Sequence, residues 1–117
     1  MMDTTKKTMT DEEIRTMLDS VSAKLEEKGA RQMEVLNVHD QTTLADYFII
    51  CTGTSNTHIR TLSQEVEHLM ETEFGLRPHH IEGYDNAQWV LVDYGFLVVH
   101  IFRADVREFY SLERLWR

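Results

Sequence analysis

The sequence predicts an α/β (α+β) fold, a mixed β-sheet flanked by helices, with its elements in the order α-β-β-α-β-β-β-α. Three observations predict it. Two long segments repeat their apolar residues at helical spacing. Short β-rich runs are interleaved with them and end in turn residues. The two richest runs, residues 88–93 and 96–102, are separated only by Tyr94-Gly95, which reads as a hairpin rather than a parallel crossover. A chain that combines hairpins with interleaved helices builds a mixed sheet, not a doubly wound parallel one.

The first helix is announced by Thr10-Asp11-Glu12-Glu13, which supplies an N-cap, a Glu three residues on and an acidic first turn. Ile14, Met17, Leu18, Val21 and Leu25 follow at helical spacing, and Gly29 stands where the helix should stop. Residues 32–38 read as a strand and 39–43 as a polar connection. Residues 46–52 form an apolar run bounded by turn residues, as a central buried strand does, and Gly53-Thr54-Ser55-Asn56 ends it. A second amphipathic helix carries Ile59, Leu62, Val66, Leu69, Met70 and Phe74, with Gly75 after it. The stretch 76–81 holds a short strand that Pro78, the only proline, places at an edge. After a loop at 82–86 comes the hairpin. One helix over residues 104–115, with Val106, Phe109, Tyr110, Leu112 and Leu115, closes the chain.

Alternation along the hairpin sorts its side chains. Val90, Val92, Leu97, Val99 and Ile101 fall on one face, purely aliphatic as a core face should be. Trp89, Leu91, Asp93, Phe96, Val98, His100 and Phe102 fall on the other. Large aromatics mixed with Asp93 and His100 do not suit a surface meant only for water. Such a face must be covered, either by a helix of this chain or by a partner.

At 117 residues the chain is long enough for one domain with a proper core, read as residues 10–117, with residues 1–9 as a disordered lead-in. Its 42% hydrophobic and 27% charged content is ordinary for a globular protein. A single cysteine, Cys51, excludes a disulfide framework within the chain and suits a reducing compartment. No apolar run is long enough for a membrane span, and the two lysines near the N-terminus lead into no apolar core of a secretory signal. The net charge of −8, with no Lys/Arg-rich run, disfavours direct RNA or DNA binding and favours a basic protein partner.

Sites of chemistry are sparse. Thr52-Gly53-Thr54-Ser55 joins a buried strand to a helix N-terminus, a place suited to an anion or phosphate, but it lacks the Lys of a phosphate loop and the spacing of a dinucleotide fingerprint. Its plainer reading is a turn with an N-cap from Thr54 or Ser55. His79 and His80 are adjacent, so on a strand they point to opposite faces, and His39, His58, His68 and His100 show no ligand spacing. Cys51 in a central strand reads as a small buried hydrophobe rather than a nucleophile. Asp40, Asp46, Glu82 and Asp93 form no closely spaced pair on a strand that could hold two metals.

Taken together, Asp46-Tyr-Phe-Ile-Ile-Cys-Thr-Gly-Thr-Ser55, His58, Glu82-Gly83, Trp89-Val-Leu-Val-Asp93, Val99-His-Ile-Phe102 and Arg107-Glu-Phe-Tyr-Ser-Leu-Glu-Arg-Leu-Trp116 closely resemble the ribosomal silencing factor family, also called Iojap-like proteins. The likeness covers roughly residues 14–116. It implies a sheet flanked by helices, distantly nucleotidyltransferase-like, and a protein that is not an enzyme, with no catalytic residue, cofactor or metal. It implies a translational repressor that binds the large ribosomal subunit through its fourteenth large-subunit ribosomal protein. Bound there, such a protein blocks association with the small subunit and silences ribosomes under starvation or in stationary phase.

The family's ribosomal contact includes the Trp that corresponds to Trp89. Leu91, Asp93 and His100 share its face, and Tyr110 lies near it on the final helix, so all four are expected as supporting contacts. The resemblance also implies a homodimer off the ribosome, little direct RNA contact, no DNA and no membrane. In the absence of an Arg/Ser-rich transit segment, it implies a cytoplasmic location. Position 96, usually acidic or polar in the family, is Phe96 here, which places a large apolar group at the hairpin tip. The alternative reading is a nucleotidyltransferase-type enzyme that binds phosphate at Thr52-Gly53-Thr54-Ser55.

Overall fold

Helix α1 (Asp11–Glu27) begins at the expected capping box. The Glu13 N–H donates to Thr10 Oγ1 at 3.0 Å, and the Thr10 N–H donates to Glu13 Oε1 at 2.9 Å, so two otherwise orphaned donors satisfy each other's residues. It ends at Gly29, whose φ of +92° only glycine adopts easily. There the Gly29 and Ala30 N–H groups close back on the Glu26 and Leu25 carbonyls. The computed structural model describes residues 9–116, so the expected lead-in lies, apart from Met9, outside the described residues.

Five strands follow: β1 (Arg31–Asn37), β2 (Tyr47–Gly53), β3 (His80–Glu82), β4 (Trp89–Asp93) and β5 (Leu97–Arg103), with α2 (Asn56–Phe74) between β2 and β3. They form one sheet in the order β1-β2-β5-β4-β3, with β2 and β5 parallel and every other pair antiparallel. The mixed sheet is therefore as the sequence implies. The three-residue β3 lies at an edge just after Pro78, where a missing N–H does no harm.

Helices α1 and α2 cover one face, packing Val21, Leu25, Ile59 and Leu62 on the aliphatic side of the hairpin and on Ile49 and Cys51. Strand β2 is buried on both sides, because Phe48 and Ile50 point into a second, smaller core with Val98 and Phe102. That core is roofed by Val106, Leu112 and Trp116 of the C-terminal segment.

Three local expectations are corrected. The final helix is two pieces, α3 (Ala104–Tyr110) and α4 (Leu112–Trp116), broken at Ser111 with φ +49°. The Ser111 hydroxyl donates back to the Glu108 carbonyl, and the break lets Trp116 reach the ring of Phe48 edge-on at 5.6 Å. The hairpin link is Gly95-Phe96 rather than Tyr94-Gly95, since the Tyr94 N–H donates to the Leu97 carbonyl and Gly95 has φ +87°. Phe96, being a turn residue, leaves the strand alternation and packs half-buried against the helix-side core, not on the Trp89 face. Its carbonyl accepts the Asp46 and Tyr47 N–H groups, which pins the hairpin tip to the start of β2.

Candidate functional site

The second face of the hairpin gathers most of the residues the sequence singled out. Strand pairing sets Trp89 beside Phe102, Leu91 beside His100 and Asp93 beside Val98, and cross-strand partners share a face. Trp89 is half-buried. Its indole stacks on Phe102 at 4.8 Å between ring centroids and lies 5.1 Å from Tyr110, which α3 brings across from the far side. The indole Nε1–H donates to His100 Nδ1 at 3.0 Å.

That bond defines the histidine. With Nδ1 accepting, the ring proton sits on Nε2, which is buried and has no hydrogen-bond partner. Burial pushes the His100 pKa down to about 4, against the opposing pull of the Asp93 charge, so the ring stays neutral and its acceptor stays available. His100 is only 4% exposed. In the free chain it backs the Trp89 ring and presents little surface of its own.

The other expected contacts divide. Leu91 is half-buried and Tyr110 is exposed, so both present surface beside Trp89. Asp93 turns one oxygen inward, where Oδ1 accepts the Gly95 N–H at 2.7 Å and holds the hairpin link, while Oδ2 lies 3.6 Å from His80 Nδ1. His80 Nε2 in turn meets Glu82 Oε2 at 2.9 Å. Since His80 pairs with Asp93 and Glu82 with Leu91, both carboxylates rim the aromatic patch on its β3 side. Phe109 completes the patch: it is 79% exposed and sets its ring edge-on to Tyr110 at 5.0 Å. In the sequence Phe109 reads only as one more apolar residue of the last helix; its exposure is what marks it.

The turn Thr52-Gly53-Thr54-Ser55 is occupied by its own helix. The Thr54 N–H donates to His58 Nδ1 at 2.9 Å, and the His58 N–H donates to Ser55 Oγ at 3.0 Å, which makes Ser55 the N-cap. The other His58 nitrogen, Nε2, bonds the Lys28 carbonyl at 2.8 Å and ties this turn to the end of α1. A Cβ on Gly53 would sit 2.5 Å from Ile59 Cγ1, so the glycine serves a close helix approach. Arg31 and Arg103 flank the hollow beside the turn, where Arg103 is forked onto Asp105 at 2.8 and 2.9 Å.

Burial pushes the Cys51 thiol up to about 12, so at neutral pH it is an inert, protonated core group. Among the described residues no three of His, Cys, Asp and Glu gather as a metal site needs. Among the same residues no helix is long and apolar enough to cross a membrane.

Comparison with known proteins adds the family context. A family model described as ribosomal silencing factor during starvation matches residues 11–117. The chain is 36% identical over 102 residues to the ribosomal silencing factor of Bacillus subtilis, covering 87% of this chain and 86% of that protein. It is 34% identical to the mouse protein named mitochondrial assembly of ribosomal large subunit protein 1, across 85% of this chain and 44% of that one. A solved structure from Chromobacterium violaceum, 32% identical, superposes with a TM-score of 0.84 over 89% of this chain and 86% of that chain.

Proposed function

The chain belongs to the ribosomal silencing factor family, and from that premise we propose that it docks its hairpin face on the large ribosomal subunit and keeps the small subunit from joining. The contact is the basic fourteenth large-subunit protein, and the effect is repression of translation under starvation or in stationary phase. One observation carries the reading: Trp89 stands half-buried in an aromatic patch, backed by Phe102 and held by His100, with Glu82 and Asp93 at its rim.

A ring fixed before binding loses little freedom when a partner covers it, and such aromatic anchors carry much of an interface's energy. The acidic rim, on a chain of net charge −8, steers encounter with a basic partner and opposes direct contact with ribosomal RNA. Silencing by this route is steric obstruction, so no catalytic group is called for. The protein acts in the cytoplasm. Off the ribosome, two copies cover the same aromatic patches in a homodimer, which competes with docking.

Titration calorimetry with the purified fourteenth large-subunit protein tests the placement. Trp89→Ala is expected to lose about 2–4 kcal/mol of binding free energy, 30-fold or more in affinity, while its circular dichroism stays that of a folded chain. Unchanged affinity in that variant would remove Trp89 from the interface.

A further inference from the structure

Arg107 is the buried arginine of the described structure, 5% exposed, and the docking reading leaves it without a role. From α3 its guanidinium reaches three other elements. Nη1 donates to the Gln32 carbonyl on β1 at 2.6 Å and to Thr52 Oγ1 on β2 at 2.9 Å. Nε donates to Glu113 Oε2 on α4 at 3.1 Å, and Nη2 lies 3.7 Å from Glu34 Oε2.

Taking a guanidinium out of water is costly, and an apolar side chain could cover the sheet there without that cost. The backbone is also shaped for this contact. Strand β1 carries a bulge between Arg31 and Glu34, with Gln32 at φ +51°, and it is the Gln32 carbonyl that meets Arg107.

What the cluster secures is a weakly anchored part of the fold. Helices α3 and α4 are seven and five residues long, too short to hold helical structure without tertiary support, and Ser111 breaks the path between them. These two pieces nonetheless carry Tyr110, which lies on Trp89, and Trp116, which meets Phe48.

We propose that Arg107 is a positioning residue of the docking face: its guanidinium clamps α3 and α4 to the β1–β2 side of the sheet and so sets Tyr110 against Trp89. The planar fork suits the task, because it bonds a carbonyl, a hydroxyl and a carboxylate on three elements at fixed angles, which a lysine ammonium cannot reproduce. The inference rests on the docking reading for its functional consequence, but the placement of Tyr110 can be read without a ribosome.

The test is a double-mutant cycle. Affinity for purified large subunits is measured for the wild type, Arg107→Met, Tyr110→Ala and the double variant, and Trp89 emission is recorded separately in a Trp116→Phe background. Arg107→Met should weaken binding about tenfold in the wild-type background and by less than about twofold once Tyr110 is alanine, since coupled residues are not additive. Its Trp89 emission should shift to the red as Tyr110 leaves the ring.

An equal loss in both backgrounds would show that Arg107 acts on the fold as a whole, and unchanged binding and emission would show that it positions nothing; either overturns the proposal. Should Arg107→Met fail to fold, Arg107→Lys, which keeps the charge but not the fork, enters the same cycle under the same criteria. If the wild type does not bind large subunits, the docking reading fails while the emission measurement still decides the positioning.

Discussion

His39 and His100 are the same residue type driven in opposite directions by their surroundings. The Asp46 carboxylate, hydrogen-bonded to His39 Nδ1 at 2.7 Å, raises the His39 pKa, so whatever this exposed pair contributes is lost as pH rises through that raised value. Burial lowers His100 to about 4, so the fold favours its neutral form. The stability that follows is fully present above the ordinary value near 6.5 and is lost as pH falls toward 4, about 3 kcal/mol in all. A proton NMR titration should show the His39 ring resonances shifting above pH 6.5 and those of His100 unmoved until the pH nears 4. A His100 midpoint near 6.5 would contradict the buried Trp89–His100 pair. The sequence placed His100 on the Trp89 face through strand parity alone. It could not reveal that the ring is covered, because that depends on how Phe48 of β2 and the rings of Trp89 and Phe102 close around it.

At the scale of elements, what was legible is what local chemistry decides. The capping box at Thr10, the glycines ending α1 and α2, the buried run of β2 and the edge position of β3 all rest on signals within a few residues. The misplaced hairpin link left the faces right at every position but Phe96, because moving a two-residue link by one position preserves the pairing parity. The break at Ser111 was not legible. Nothing in Tyr110-Ser111-Leu112 stops a helix by propensity, and across the left-handed serine Arg107 of α3 meets Glu113 of α4 at 3.1 Å. Gly83 offers a sharper test of local structure. Its φ is +81°, and a Cβ there would sit 2.1 Å from the Trp89 carbonyl oxygen, where the β3–β4 connection crosses close to β4. Gly83→Ala should cost about 2–3 kcal/mol, read as a lower midpoint in urea. An unchanged midpoint would mean that the crossing is looser than described.

For the whole molecule, the asymmetry of the sheet is the central fact. One face is sealed by the long helices α1 and α2, and the other is only partly roofed by the short α3 and α4. The unroofed remainder holds Trp89 and Leu91, with Tyr110 and Phe109 beside them and acid at its edge, on a chain whose net charge of −8 disfavours contact with a phosphate backbone. A steric factor needs one such face and enough bulk behind it. The most direct test is to mix separated ribosomal subunits with the wild type or Trp89→Ala and resolve them on a sucrose gradient. The wild type should travel with the large subunit alone and shrink the joined peak, while Trp89→Ala should stay at the top of the gradient and leave that peak intact. Wild-type protein that sediments with neither subunit, or rides on the large one without reducing the joined peak, would contradict the account.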